Sequence, residues 1–191
     1  MSKSNKLEFS IDQDIVYPKH GVGTITDIRV QEISGITLEL YVVRFEKERM
    51  TLRVPTEKAV GVGMRCISDE ETMKKAFKTL KGKAKVKRTM WSRRAQEYEG
   101  KINSGSITQL AEVVRDLHRS GDQSEQSYSE RQIYESAISR LAREVAAVEE
   151  TCEKEALSKL ETILTPEKIE PEVSPEVSPE ISPEVSPEIE A

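Results

Sequence analysis

The sequence has one tryptophan, two cysteines and two histidines among its 191 residues. Each shortage excludes a class of function. Cys66 and Cys152 stand alone, without a CxxC or a disulfide framework, and read as buried or inert thiols in a reducing cytoplasm. His20 has no Cys, His or carboxylate at metal spacing around it and a ligand role for His118 lacks supporting partners, so no metal site and no cofactor are expected. His20 reads as a turn-packing or solvent-exposed residue, and His118 as a cation favoured by the dipole near a helix end. No run of about 18 apolar residues is present to span a bilayer. The first residues, MSKSNKLEFSIDQD, lack the apolar stretch of a secretory signal, and a cytoplasmic location is expected. The phosphate loop GxxxxGKS/T, GxGxxG after a strand, HExxH and GxSxG are all missing, which argues against an enzyme.

What is abundant is charge. Only 36% of residues are hydrophobic and 33% are charged, so the core is modest and the surface ionic. The charge is unevenly spread. From Lys74 to Lys101 eleven lysines and arginines face only Glu97 and Glu99, a local +9 in a chain of net −5. Such asymmetry is the electrostatic footprint of a polyanion partner. Trp91 sits at the downstream end of this run, directly before Ser92-Arg93-Arg94.

The N-terminal third, residues 9–67, reads as all-β. Ile15–Tyr17, Thr24–Val30, Ile36–Phe45 and Met50–Pro55 carry strand periodicity, separated by turn signals at Pro18 to Gly23 and Ser34-Gly35. Four or five strands in about 55 residues predict a small barrel or a strongly bent sheet. Arg53 stands between Leu52 and Val54 on the opposite face. Two readings are open: a solvated outer face, or an anchor for a partner's carboxylate.

Residues 68–165 read as a helical bundle. Three capping boxes are predicted, at Ser68/Glu71, Ser106/Gln109 and Ser129/Gln132. Apolar stripes follow: Met73-Ala76-Phe77-Leu80, Trp91-Ala95-Tyr98-Ile102, Ile107 to Leu117, and Tyr134 to Cys152 in 4-3-4-3-4 spacing. Leu157, Leu160 and Leu164 extend or restart the last helix. The final stripe is too short and alanine-rich for a coiled-coil dimer seam, so an intramolecular bundle and a monomer are expected. Between the first two helices, Lys83 to Arg88 is too polar to bury and reads as a mobile loop. From residue 166 to 191 the chain is a Ser-Pro-Glu repeat of net charge −7, expected to be disordered. It serves either as a solubilising extension or as an internal competitor screening the basic stretch.

By elimination and by charge, the expected function is nucleic-acid binding. Lys85, Lys87, Arg88, Arg93 and Arg94 are the candidates for phosphate. Trp91 has two readings. Periodicity makes it core; its place at a helix start beside arginines suits an apolar wedge between base steps.

The layout then resembles a known family. YPKHGVGTI (residues 17–25), LRVP (52–55), WSRR (91–94) and EVVRDLHR (112–119) are similar in type and spacing to the CarD/CdnL family of bacterial transcription regulators. The likeness runs from Phe9 to Leu164. It implies an α+β protein: a small Tudor-like N-terminal barrel, then an α-helical DNA-binding bundle. The barrel would grip the RNA polymerase β subunit through Arg53, Ile33 and Gln31. Gln31 departs from the arginine of some relatives. Gln96 likewise lacks a basic character seen in the family, while the lysine-rich loop before Trp91 offers compensation. The bundle would lie on promoter DNA at the upstream edge of the transcription bubble. Trp91 would enter the minor groove there, with Arg93 and Arg94 at the backbone, and stabilise the open complex, ribosomal RNA promoters included. The alternative is a free-standing architectural DNA-binding protein that acts without polymerase. A polymerase-binding module of a repair-coupling ATPase is disfavoured by the missing phosphate loop.

Overall fold

The computed structural model describes residues 7–33, 35–118 and 127–165. The expected Ser-Pro-Glu disorder, and the predicted helix stop at Gly121, lie outside the described residues. Strands β1 (Asp14–Tyr17), β2 (Gly21–Ile33), β3 (Ile36–Phe45), β4 (Met50–Pro55) and β5 (Arg65–Cys66) come first. Helices α1 (Glu70–Leu80), α2 (Trp91–Ile102), α3 (Ile107–Leu117), α4 (Tyr128–Glu149) and α5 (Glu153–Leu164) follow.

The strands form one antiparallel sheet in the order β4-β3-β2-β1-β5. The sheet is bent but open, so the expected barrel closure is corrected. β5 pairs with β1 over only two residues, too little to carry the ladder round to β4. The intervening chain, with a 3-10 turn at Thr56–Lys58, buries Ala59 and Met64 against the sheet instead. Side chains therefore close the core where hydrogen bonds do not. Alternation on β3 sends Tyr41, Val43 and Phe45 inward, all essentially buried. A bulge between Ile25 and Asp27 bends β2. Gly23 lets the Phe45 ring lie against the backbone; a Cβ there would meet the ring at 2.7 Å.

The helices share a second core, centred on Val113, Val114, Leu141, Val145 and Leu160. Their starts differ from the predicted boxes. Asp69, not Ser68, caps α1, accepting from the Thr72 amide at 2.9 Å. Ser106 caps α3 by position without a side-chain bond. The box on α4 is Ser127 with Glu130, two residues upstream of the predicted pair. In each displaced case the hydroxyl serves tertiary structure. Ser68 donates to Glu144 at 2.6 Å, and Ser129 accepts from Trp91 at 2.9 Å. The long stripe also breaks: Glu150 adopts φ +51°, ending α4, and Cys152 caps α5.

Several side chains fasten sheet to bundle, among them Lys47, which pairs with Glu153 of α5 at 3.1 Å, and two arginines. Arg65, on β5, makes a bidentate pair with buried Glu144 of α4 at 2.8 and 3.0 Å. Arg140 of α4 donates to the carbonyls of Pro18 and Lys19 at 3.1 and 2.7 Å. The PKHG turn is thus held from the helical side. His20 packs in that turn against Tyr17 and Phe45, 3.8 Å from Glu48.

Candidate nucleic-acid interface

The basic stretch spans the end of α1, a non-helical segment and the start of α2, and the segment's residues 81–90 are all exposed. Too few apolar side chains are present to draw it inward. It is nonetheless tethered. The Lys85 amide donates to Asp116 Oδ1 at 2.9 Å, and Lys87 pairs with Glu97 of α2 at 2.7 Å. That bond from Lys87 holds the Glu97 carboxyl below its usual range. Asp116 is itself buried and bound by Arg115 at 2.7 Å, so the tether point is rigid. A cavity of about 200 Å³ lies between the segment, α2 and α3, lined by both signs of charge.

The predicted phosphate ligands divide into two groups. Lys85, Arg88 and Arg93 are exposed and, with Lys81 and Lys83, form no ion pair among the described residues. Lys87 is committed to Glu97. Arg94 turns inward: its guanidinium lies 5.3 Å from the Trp91 ring centroid and 3.3 Å from Glu130, with both ends of that pair 17% exposed. Its Nε is buried and unpartnered among the described residues.

Trp91 opens α2 and is half-buried, packed against the helical core. Its ring centroid lies 6.4 Å from that of Tyr98, and its Nε1 donates to Ser129. Its neighbour Met90, the N-cap of α2, is 80% exposed. Tyr128, at the start of α4, is 77% exposed. Met90 carries no signal in the sequence, and the roles of Ser129 and Asp116 differ from those the sequence suggests, a helix cap for the first and part of a family motif for the second. A methionine beside a tryptophan has no periodicity of its own, and the other two act across the bundle.

His118 corrects the dipole reading. Burial lowers its pKa and favours the neutral ring, which meets the Tyr134 hydroxyl at 3.1 Å. The same burial pushes Tyr134 up to about 12.

On the sheet, β4 is an edge strand and Arg53 on it is exposed. Arg53 pairs in register with Val42, which pairs with Asp27; Gln31 pairs with Leu38, and Ile33 with Ile36. Even numbering on β3 puts Leu38 and Val42 on one face, so exposed Gln31 and Arg53 share the outer face. They are separated by the width of β3 and by four residues along it. They form one surface, not one contact. Among the described residues no helix is long and apolar enough to cross a membrane, and no group of three or more His, Cys, Asp and Glu could hold a metal.

Comparison with known proteins places both halves. Residues 9–66 match the family model described as "CarD-like/TRCF RID domain", and residues 75–161 the model described as "CarD, C-terminal domain". The chain is 30% identical over 150 residues to "Putative transcription factor YdeB" of Bacillus subtilis (strain 168), covering 78% of this chain and 98% of that protein. A solved structure, the solution NMR structure of the 72-residue N-terminal domain of Myxococcus xanthus CarD, is 30% identical. It covers 33% of this chain and 84% of that one, with a TM-score of 0.28.

Proposed function

The chain belongs to the CarD/CdnL family of transcription regulators, and from that premise we propose that it bridges RNA polymerase and promoter DNA. The sheet binds the polymerase β subunit through the outer face that carries Arg53 and Gln31, with Ile33 at the end of β2. An edge strand supports this, because β4 offers unpaired backbone groups beside an exposed guanidinium. The helical half presents the start of α2, with Trp91 and Arg93, and the basic segment with Lys85 and Arg88 to the upstream edge of the bubble. Lys87 and Arg94 contribute there by holding Glu97 and Trp91 in place. A single copy suffices for this bridge.

One observation carries the reading: a sheet with exposed Arg53 on its edge strand is joined by the Arg65–Glu144 pair to a bundle that carries the exposed cations of the basic segment. Gripping polymerase raises the local concentration of a weak, salt-sensitive DNA contact. Prolonging an open complex tenfold requires only about 1.4 kcal/mol.

Open-complex lifetime on a ribosomal RNA promoter tests it. The protein should lengthen the lifetime, and Arg53→Glu and Trp91→Ala should each remove the effect. Arg53→Glu should also abolish pull-down of the β subunit, and unchanged pull-down would overturn the sheet assignment. Tight duplex binding with no polymerase contact would establish the architectural alternative.

A further inference from the structure

We propose that the acidic Ser-Pro-Glu tail, residues 166–191, docks on the basic segment between α1 and α2 and competes there with duplex DNA. The inference takes the DNA-binding reading of that segment from the function proposed above and adds an occupant from the same chain.

The surface is basic and largely unpaired. From residue 81 to 94 the chain carries seven lysines and arginines and no acidic residue. Lys87 and Arg94 are ion-paired, with Glu97 and Glu130. Lys81, Lys83, Lys85, Arg88 and Arg93 are exposed and form no ion pair among the described residues. Acids of the bundle close by are already committed: Asp116 to Arg115 and the Lys85 amide, Glu112 to Lys101. Neutralising the five remaining cations falls to charge outside the described elements.

The tail has that charge and the reach. Its eight glutamates against Lys168 leave −7. It continues from α5, whose Lys159 Nζ lies 5.2 Å from the ring centroid of Phe77 on α1, a turn before the basic segment begins. Leu80 and Leu164, the last residues of these two helices, are buried in one core. The gap is of the order of one helix length, about 16 Å for the 11 residues of α1. A proline-rich chain extends by about 3.1 Å per residue, so residues 166–191 can span about 80 Å.

Charge density decides when the tail yields. With a glutamate at every fourth residue, its charges lie about 12 Å apart in an extended chain. Duplex DNA carries one charge per about 1.7 Å of axis. The tail therefore prevails only through its tether, which gives it an effective concentration of about millimolar. Duplex free in solution lacks that advantage. Duplex held beside a polymerase-bound copy shares it and displaces the tail, so DNA binding is favoured where polymerase is.

Two measurements on the full chain test the proposal. In the first, a water-soluble carbodiimide joins carboxylates to adjacent lysine amines, the water lost passing to the reagent. Mass spectrometry then locates the links made by tail glutamates. They should concentrate on Lys81, Lys83 and Lys85 over Lys19 and Lys58, which are also exposed, and saturating duplex should suppress them. Links spread evenly over all these lysines overturn the docking and leave a solubilising extension. Links joining labelled to unlabelled copies in an isotope mixture also overturn it, in favour of a second copy as the occupant.

The second measurement compares duplex affinity, by fluorescence anisotropy without polymerase, in two triple variants of equal net charge. Glu176→Gln, Glu180→Gln and Glu184→Gln together should tighten binding severalfold. Glu8→Gln, Glu32→Gln and Glu46→Gln, at exposed positions of the sheet half, should change it little. Equal gains mean that net charge alone acts, and overturn the proposal. Tail links on the basic segment with no duplex binding by any variant uphold the docking and sink the DNA-binding reading, so the two failures are separable.

Discussion

At the scale of single residues, the bundle shows how one side chain serves both packing and presentation. Trp91 packs against the core and ties the start of α2 to α4 through Ser129. Arg94 exchanges solvent for a place between that ring and Glu130, which removes it from the exposed cations. The remaining free cations set the salt dependence of DNA binding. Replacing Arg88 and Arg93 by alanine should reduce the slope of log K against log salt by about 1 for each of the two that meets a phosphate. Fluorescence anisotropy with duplex DNA across a salt series measures it, and an unchanged slope puts the DNA elsewhere on the surface. His118 supplies a pH test. Its pKa is depressed by burial from 6.5, so above that value the ring is neutral folded or unfolded and costs nothing. As pH falls below 6.5 the unfolded chain takes up the proton first, and stability declines. His118→Gln should flatten that decline between pH 6.5 and the range where carboxylates titrate. Urea midpoints measured across this window check the sign, and a wild-type midpoint that is flat there contradicts it.

At the scale of elements, the serines at the start of α4 have separate duties. Ser127 forms the capping box, while Ser129 accepts from Trp91. Ser127→Ala should cost about 1 kcal/mol of stability and leave tryptophan emission unchanged. Ser129→Ala should shift the emission and cost less, because α4 keeps its cap. Emission spectra and thermal melts of the two variants separate the duties; identical behaviour would mean the two hydroxyls are interchangeable. The basic segment between α1 and α2 is an element in the same sense. Its polar composition keeps it outside the core, yet Asp116 and Glu97 hold it at two points. Holding it reduces the ordering cost when phosphate arrives.

At the scale of the molecule, the bridge between sheet and bundle is the critical connection. Glu144 is 4% exposed and receives both Arg65 nitrogens, the Ser68 amide and the Ser68 hydroxyl. Its carboxylate is therefore fully served, which is the condition under which a buried charge is tolerated. Glu144→Gln should cost about 2 kcal/mol, less than for a fully buried pair, because Arg65 is 31% exposed. It should also loosen the sheet from the bundle. Chemical denaturation should show the lower midpoint and small-angle scattering a larger radius of gyration; unchanged dimensions would mean that the remaining contacts between the halves, Arg140 with the PKHG turn and Lys47 with Glu153, suffice without it.

Much of this was legible in the sequence, and the boundary follows the range of the interactions. Strand alternation, the helix stripes and the basic run depend on neighbours within a few residues, and periodicity alone located them. The family motifs carried the likeness to CarD proteins for the same reason: they are contiguous. Which serine caps a helix was not legible, because Ser68 and Ser129 are claimed by Glu144 and Trp91 from far along the chain. Nor was the open sheet. Closure depends on whether the residues after β4 pair or plug, and Ala59 and Met64 plug. The same holds for the interface. Sequence determined that a tryptophan stands among arginines at a helix start. Tertiary packing decided that Arg94 turns inward and Met90 outward, because only the assembled bundle provides Ser129, Glu130 and a core for the indole to lean on.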